Sequence, residues 1–158
     1  MWRPRKETNI VATFRRARVL TLDDLGRRLS VSRSTVVRRL TEHGYISSYN
    51  HRGEFLTIED VAEFDSQGLW VFKTARFSRH GTLKKTVEHF VRSSEAGMAH
   101  EELSALLGVR VHNTLLDLAQ EGTVERKRLG PAFVYLSPLA GNRRGQVRAR
   151  SSFLAERK

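Results

Sequence analysis

Arg33, Ser34 and Arg38 have the side chains and the spacing to recognise a planar, acceptor-rich target. A guanidinium presents N–H donors in a rigid fork that matches a phosphate or the paired acceptors on a guanine edge, and a serine hydroxyl adds a short donor or acceptor. At 100° per residue, Ser34, Arg38 and Glu42 fall on one side of a helix over Arg33–His43, and Val36, Val37 and Leu40 cluster on the other. Arg33 sits in the first turn. Arg33 and Arg38 can each engage guanine O6 and N7, for about 1–3 kcal/mol of discrimination. Ser32 is placed to cap this helix and to offer its hydroxyl to a phosphate, and Thr35 and Arg39 are better placed for a sugar-phosphate backbone.

The elements that must hold these residues are legible around them. Residues 7–18 carry an apolar stripe of Ile10, Val11 and Phe14 at helical spacing. Thr21 caps a short helix over Leu22–Leu29, with Asp23 and Asp24 in its first turn, where the helix dipole favours carboxylates. Ser30-Val31 makes a tight turn, and Gly44 stops the helix that follows. Two extended segments, 45–49 and 54–57, flank Asn50-His51-Arg52-Gly53, a hairpin signal that brings His51 and Arg52 within reach of a neighbouring groove or phosphate.

The same skeleton occurs twice. Adding 78 to Leu25, Leu29, Val31, Leu40, Gly44, Ile46 and Phe55 gives Leu103, Leu107, Val109, Leu118, Gly122, Val124 and Phe133 without a gap. The second copy reads as helices over Leu83–Ser93, His100–Leu107 and 111–120, then a hairpin of 123–127 and Ala132–Leu136 joined by Arg128-Leu129-Gly130-Pro131. Between the copies, 58–64 reads as a short helix, 68–72 as a strand and 77–82 as a turn, an aromatic-rich segment expected to pack between the lobes.

Residues 21–44, TLDDLGRRLSVSRSTVVRRLTEHG, resemble the helix-turn-helix of bacterial transcription regulators, above all in the pattern VS-x-x-TV-x-R-x-L. The likeness is tight over this stretch and extends loosely through each copy, because three helices followed by a two-stranded hairpin is the winged-helix order. The fold expected is mainly α with small β-hairpin wings (α+β), as two tandem winged helix-turn-helix lobes. The lobes are 1–57 and 83–140, with an ordered connector at 58–82 and a basic C-terminal tail at 141–158. The resemblance implies a sequence-specific double-stranded DNA-binding protein, a transcriptional regulator that places 33–43 in the major groove.

The second copy keeps the skeleton and changes the surface. Arg33, Ser34 and Arg38 map onto Val111, His112 and Leu116. Residues 21–44 carry a net charge of +2, and residues 99–122 carry −3. Leu116 lies away from the Leu115/Leu118 stripe, and an outward apolar residue suggests a surface covered by a partner lobe, a partner protein or a second copy, the last making a homodimer. Should this copy touch DNA, Arg110, His112 and Asn113 would do the reading, Asn113 by pairing with adenine.

Composition bounds the partners. The chain has 158 residues, is 39% hydrophobic and carries a formal net charge of +11, which attracts polyanions. Much of the excess sits at 1–18 and 141–158, each +5, expected to be solvated tails that turn into phosphate-contacting arms on DNA. With no cysteine, thiolate metal sites and a thiol nucleophile are excluded. The six histidines form no H-E-x-x-H, and no phosphate loop or G-x-S-x-G occurs, so neither an enzyme nor a metal or other cofactor is expected. Lacking an apolar run long enough to span a bilayer or a secretion leader, the chain reads as cytoplasmic, at the nucleoid, with no membrane partner. The competing readings are a bipartite DNA-binding protein of a mobile element or replication system and a winged-helix protein-interaction module.

Overall fold

The computed structural model describes residues 6–156. The fold is mixed α+β, with seven α-helices and small antiparallel sheets among the described residues. The chain divides into two compact units, one ending at Thr82 and the other beginning at Leu83.

In the first unit, α1 (Lys6–Ala17), α2 (Leu22–Leu29) and α3 (Arg33–His43) bury Ile10, Phe14, Leu25, Val36 and Leu40 together with Leu20, Leu56 and Ile58. Each large apolar side chain so buried contributes about 1.5–3 kcal/mol. Local chemistry sets the helix ends. The Thr21 hydroxyl accepts the Asp24 N–H at 3.1 Å and the Asp24 carboxylate accepts the Thr21 N–H at 3.3 Å, a reciprocal cap that starts α2. Ser30 ends α2 in the left-handed region at φ 55°, and the Ser32 hydroxyl accepts the Thr35 N–H at 3.3 Å to start α3. Gly44, at φ 95°, lets the chain leave α3.

The hairpin that follows is short. Strands β1 (Ile46–Ser47) and β2 (Leu56–Thr57) pair antiparallel, and Leu20 joins β2 by exchanging two backbone bonds with Leu56. Residues 58–82 belong to the first unit. The expected helix at 58–64 is one turn, closed by the N–H groups of Val61 and Ala62 on the Ile58 carbonyl. It goes no further because the Asp65 carboxylate takes the N–H groups of Gln67 and Leu69 and bends the chain. The expected strand at 68–72 forms as β3 (Leu69–Phe72). Phe77 and Ser78, read as a turn, instead lie in β4 (Ala75–Ser78), which pairs with β3. Trp70, Ala75 and Phe77 form a second small core against Val19, Ile46, Phe55, Ala62, Phe64 and Phe72.

The second unit comprises α4 (Leu83–Ser93), β5 (Met98–Ala99), α5 (His100–Leu107), α6 (His112–Gln120), β6 (Glu125–Leu129), β7 (Ala132–Leu136) and α7 (Ala140–Glu156). Its sheet has the antiparallel order β5-β7-β6. Val87, Val91, Leu103, Leu107, Val111, Leu115, Leu118, Val124 and Leu136 are buried. Arg128 and Leu129, expected in the hairpin turn, extend β6.

The segment expected as a basic tail is a helix. Gln146 on α7 is buried, accepts the Ser137 N–H at 2.7 Å and donates to the carbonyls of Val91 at 2.8 Å and Ser94 at 3.0 Å. The Arg150 guanidinium bonds the carbonyls of Ala96 and Gly97 and the Glu102 carboxylate. These buried polar bonds anchor α7 where its arginine-rich composition suggested a solvated arm. Arg144 and Arg148 remain exposed. Arg3, Arg5, Arg157 and Lys158, expected to contribute to basic arms, lie outside the described residues.

The 78-residue register holds through the first part of each copy, since α5 starts and ends 78 residues after α2. It then slips. Ser32 caps α3, but its counterpart Arg110 does not cap α6, which begins one residue late at His112 behind a buried Val111. Val37 and its counterpart Leu115 consequently face differently: Val37 is 42% exposed and Leu115 is fully buried.

Candidate nucleic-acid interface

On α3, Ser32, Arg33, Ser34 and Arg38 are exposed. The Ser32 hydroxyl lies 3.2 Å from that of Ser34 and 3.0 Å from that of Thr35, so a polar cluster covers the N-terminal end of the helix. Free N–H groups and the positive end of the helix dipole favour an anion there. Arg33 Nη1 lies 3.6 Å from Asp23 Oδ1, an exposed pair of small energetic weight. Arg38 makes no ion pair among the described residues. Arg39 is half-buried, and its Nε–H is buried without a partner.

Val37, assigned by the helical wheel to the core, points outward. Together with Leu22, Asp23, Arg33, Tyr45 and Arg52 it lines a cleft of about 490 Å³ between α3 and the hairpin. Val37 and Tyr45 were missed as surface groups. Val36 and Leu40 already fill the inner face, so a third apolar residue has no room there.

The hairpin turn is held from the far side. Asn50 Nδ2 donates to the Thr74 carbonyl at 2.8 Å, and Asn50 Oδ1 accepts the Arg76 N–H at 3.0 Å. The Tyr49 N–H donates to the Arg76 carbonyl at 2.8 Å. His51 and Arg52 both adopt left-handed backbone, at φ 50° and 57°, which non-glycine residues seldom do. His51 is exposed; its Nε2 lies 3.2 Å from the Thr74 carbonyl oxygen, and its ring meets Phe55 edge-on at 5.4 Å. Arg52 lines the same cleft as Arg33. Asn50 carried a turn signal in the sequence, but its partners lie 24 and 26 residues away, so no local pattern could reveal them.

In the first turn of α2, partial burial pushes the Asp24 carboxyl up, but hydrogen bonds from Thr21 and the Arg27 guanidinium outweigh it. The net effect holds Asp24 below its ordinary value.

In the second unit, Arg110, His112 and Asn113 are exposed at the start of α6. The His112 ring lies 6.2 Å from that of His100. Leu116 is 36% exposed. No metal-ligating cluster occurs among the described residues, and no helix among them is long and apolar enough to cross a membrane.

Compared with known protein families, with curated proteins and with solved structures, the chain has no significant match.

Proposed function

We propose that this chain is a sequence-specific double-stranded DNA-binding protein, a transcriptional regulator built from two tandem winged helix-turn-helix lobes. The first lobe reads the major groove with α3. The observation that carries this is Arg38, exposed and free of ion pairs among the described residues, on a helix whose capped N-terminus also presents Ser32, Arg33 and Ser34. A helix fits the major groove with its N-terminal residues toward the base edges. Arg52, on a strained turn held by Asn50, supplies a second cationic point across the cleft, suited to a phosphate. The partly buried Arg39 and Thr35 suit backbone contacts better than reading.

The test is selection of bound sites from a random duplex pool, followed by Arg38→Ala on the selected site and on random duplex. The variant binds the selected site about 10–100-fold more weakly, the worth of one bidentate base contact, and binds random duplex nearly unchanged. Equal weakening on both reduces Arg38 to a phosphate contact, and a pool without enrichment favours a protein-interaction module. A palindromic site supports a homodimer, and a long asymmetric site supports bipartite binding.

Leu116 favours a protein partner for α6, with a second copy of the chain as the occupant. Leu116→Glu then yields monomers in sedimentation, and an unchanged dimer removes Leu116 from the interface.

A further inference from the structure

We infer that the second unit grips the phosphate backbone of duplex DNA with its β6–β7 hairpin and not with α6. The charge of the unit is uneven along its chain, although Arg150 of α7 is paired with Glu102 of α5. Residues 99–122, which include α5 and α6, carry a net −3, whereas β6 carries +2 and α7 carries +3. The three cations of β6, Arg126, Lys127 and Arg128, are exposed, and none makes an ion pair among the described residues. The one acid of β6, Glu125, is 3.9 Å from Arg143 and so partly neutralised.

The arginines are also pre-arranged. Arg126 stands opposite Tyr135 and Arg128 opposite Phe133, so strand alternation puts Arg126, Arg128 and Phe133 on one face. Phe133 is 42% exposed. The Arg126 guanidinium lies 3.7 Å from its ring centroid and that of Arg128 lies 5.6 Å away. A guanidinium held on an aromatic face loses little further freedom on binding, and its in-plane N–H groups stay open for a bidentate phosphate contact. β6 is an edge strand, so nothing in the sheet covers it.

Helix α7 adds cations alongside β6, on the face of Glu125 and Lys127 and not that of Arg126 and Arg128. Arg143 meets Glu125 at the start of β6, and a methyl group added at Gly130 in the hairpin turn would lie 3.4 Å from Leu154. The helix between Arg143 and Leu154 spans about 16 Å, close to the length of a five-residue strand, so α7 runs alongside β6. Arg144 and Arg148 are exposed on that helix. No sequence motif marks this arrangement; only the pairing of β6 with β7 brings Phe133 under the arginines.

The choice of DNA as the polyanion rests on the reading of the first unit, so the experiment uses random-sequence duplex, whose binding does not require base recognition. Affinity of the full chain is measured against salt concentration for the wild type, R126A/K127A/R128A, R126K/R128K and Arg38→Ala. The alanine variant binds about tenfold or more weakly, and its salt slope drops by about 2–3, one unit for each phosphate no longer neutralised. R126K/R128K keeps the slope, which separates lost charge from lost folding. Arg38→Ala keeps most of it, so failure of base reading by the first unit leaves this result standing. An alanine variant with unchanged slope and affinity overturns the inference. So does loss of binding only to phosphatidylserine vesicles, or a drop of slope on Arg110→Ala with none on the β6 variant.

Discussion

Asp23 Oδ1 lies 3.6 Å from Arg33 Nη1, so an acid in the first turn of α2 sits beside the arginine that opens α3. In the proposed complex this acid competes with DNA for Arg33 and repels phosphate. Asp23→Asn is expected to tighten binding to the selected duplex by up to about fivefold, the worth of one exposed ion pair. Fluorescence anisotropy at fixed salt reads the change. Weaker binding would make Asp23 a group that orients Arg33.

Asn50 bridges the hairpin turn to Thr74 in the β3–β4 turn and to Arg76 in β4. Asn50→Ala removes both bonds and leaves the Thr74 carbonyl and the Arg76 N–H to find other partners. Loss of stability of about 1–3 kcal/mol is expected, with faster amide exchange at Arg76. Unchanged exchange there would show that the hairpin holds its place without the side chain.

Gly97 has φ 71°, and a Cβ added there would lie 2.5 Å from Leu136 Cδ2 and 2.8 Å from the Tyr135 carbonyl oxygen. Gly97→Ala combines backbone strain with a collision against the strand at the centre of the second sheet, for about 3 kcal/mol or more. Gly122 has a similar φ, 74°, with nothing within 4 Å of an added Cβ, so Gly122→Ala costs about 1 kcal/mol. The two denaturation midpoints compared side by side isolate the collision. Equal losses would leave only the backbone strain.

Asp24 adds an acid-sensitive component to the first unit. Its native pKa is held below 3.8, so its stabilising contribution is complete at neutral pH and fades as pH falls through that depressed value. Relative to Asp24→Asn, the wild type should keep a constant advantage above about pH 5 and lose it progressively in stronger acid. An advantage that persists unchanged to pH 2 would assign the effect to packing.

Local signals explain what the sequence disclosed. The bounds of α2 and α3 could be read from Thr21, Ser32 and Gly44 because capping is decided within a few residues. Arg33, Ser34 and Arg38 were legible as surface for the same reason. Val37 was not, because periodicity marks three apolar positions and cannot say that Val36 and Leu40 already fill the core. The β3–β4 pairing, the docking of α7 through Gln146 and the Arg126–Phe133 stack are all made across the chain. Composition misread α7 in particular, since four arginines and small residues look like a solvated tail until the buried amide of Gln146 is seen.

The clasp at Asn50 also bears on inheritance. A piece ending after β2 would leave behind the carbonyl and amide that hold its turn, along with Trp70 and Phe77, which cover Ile46 and Phe55. If recombination or protein engineering moves the first unit into another chain, the workable seam falls between Thr82 and Leu83, and the aromatic hairpin travels with the helices as one heritable block.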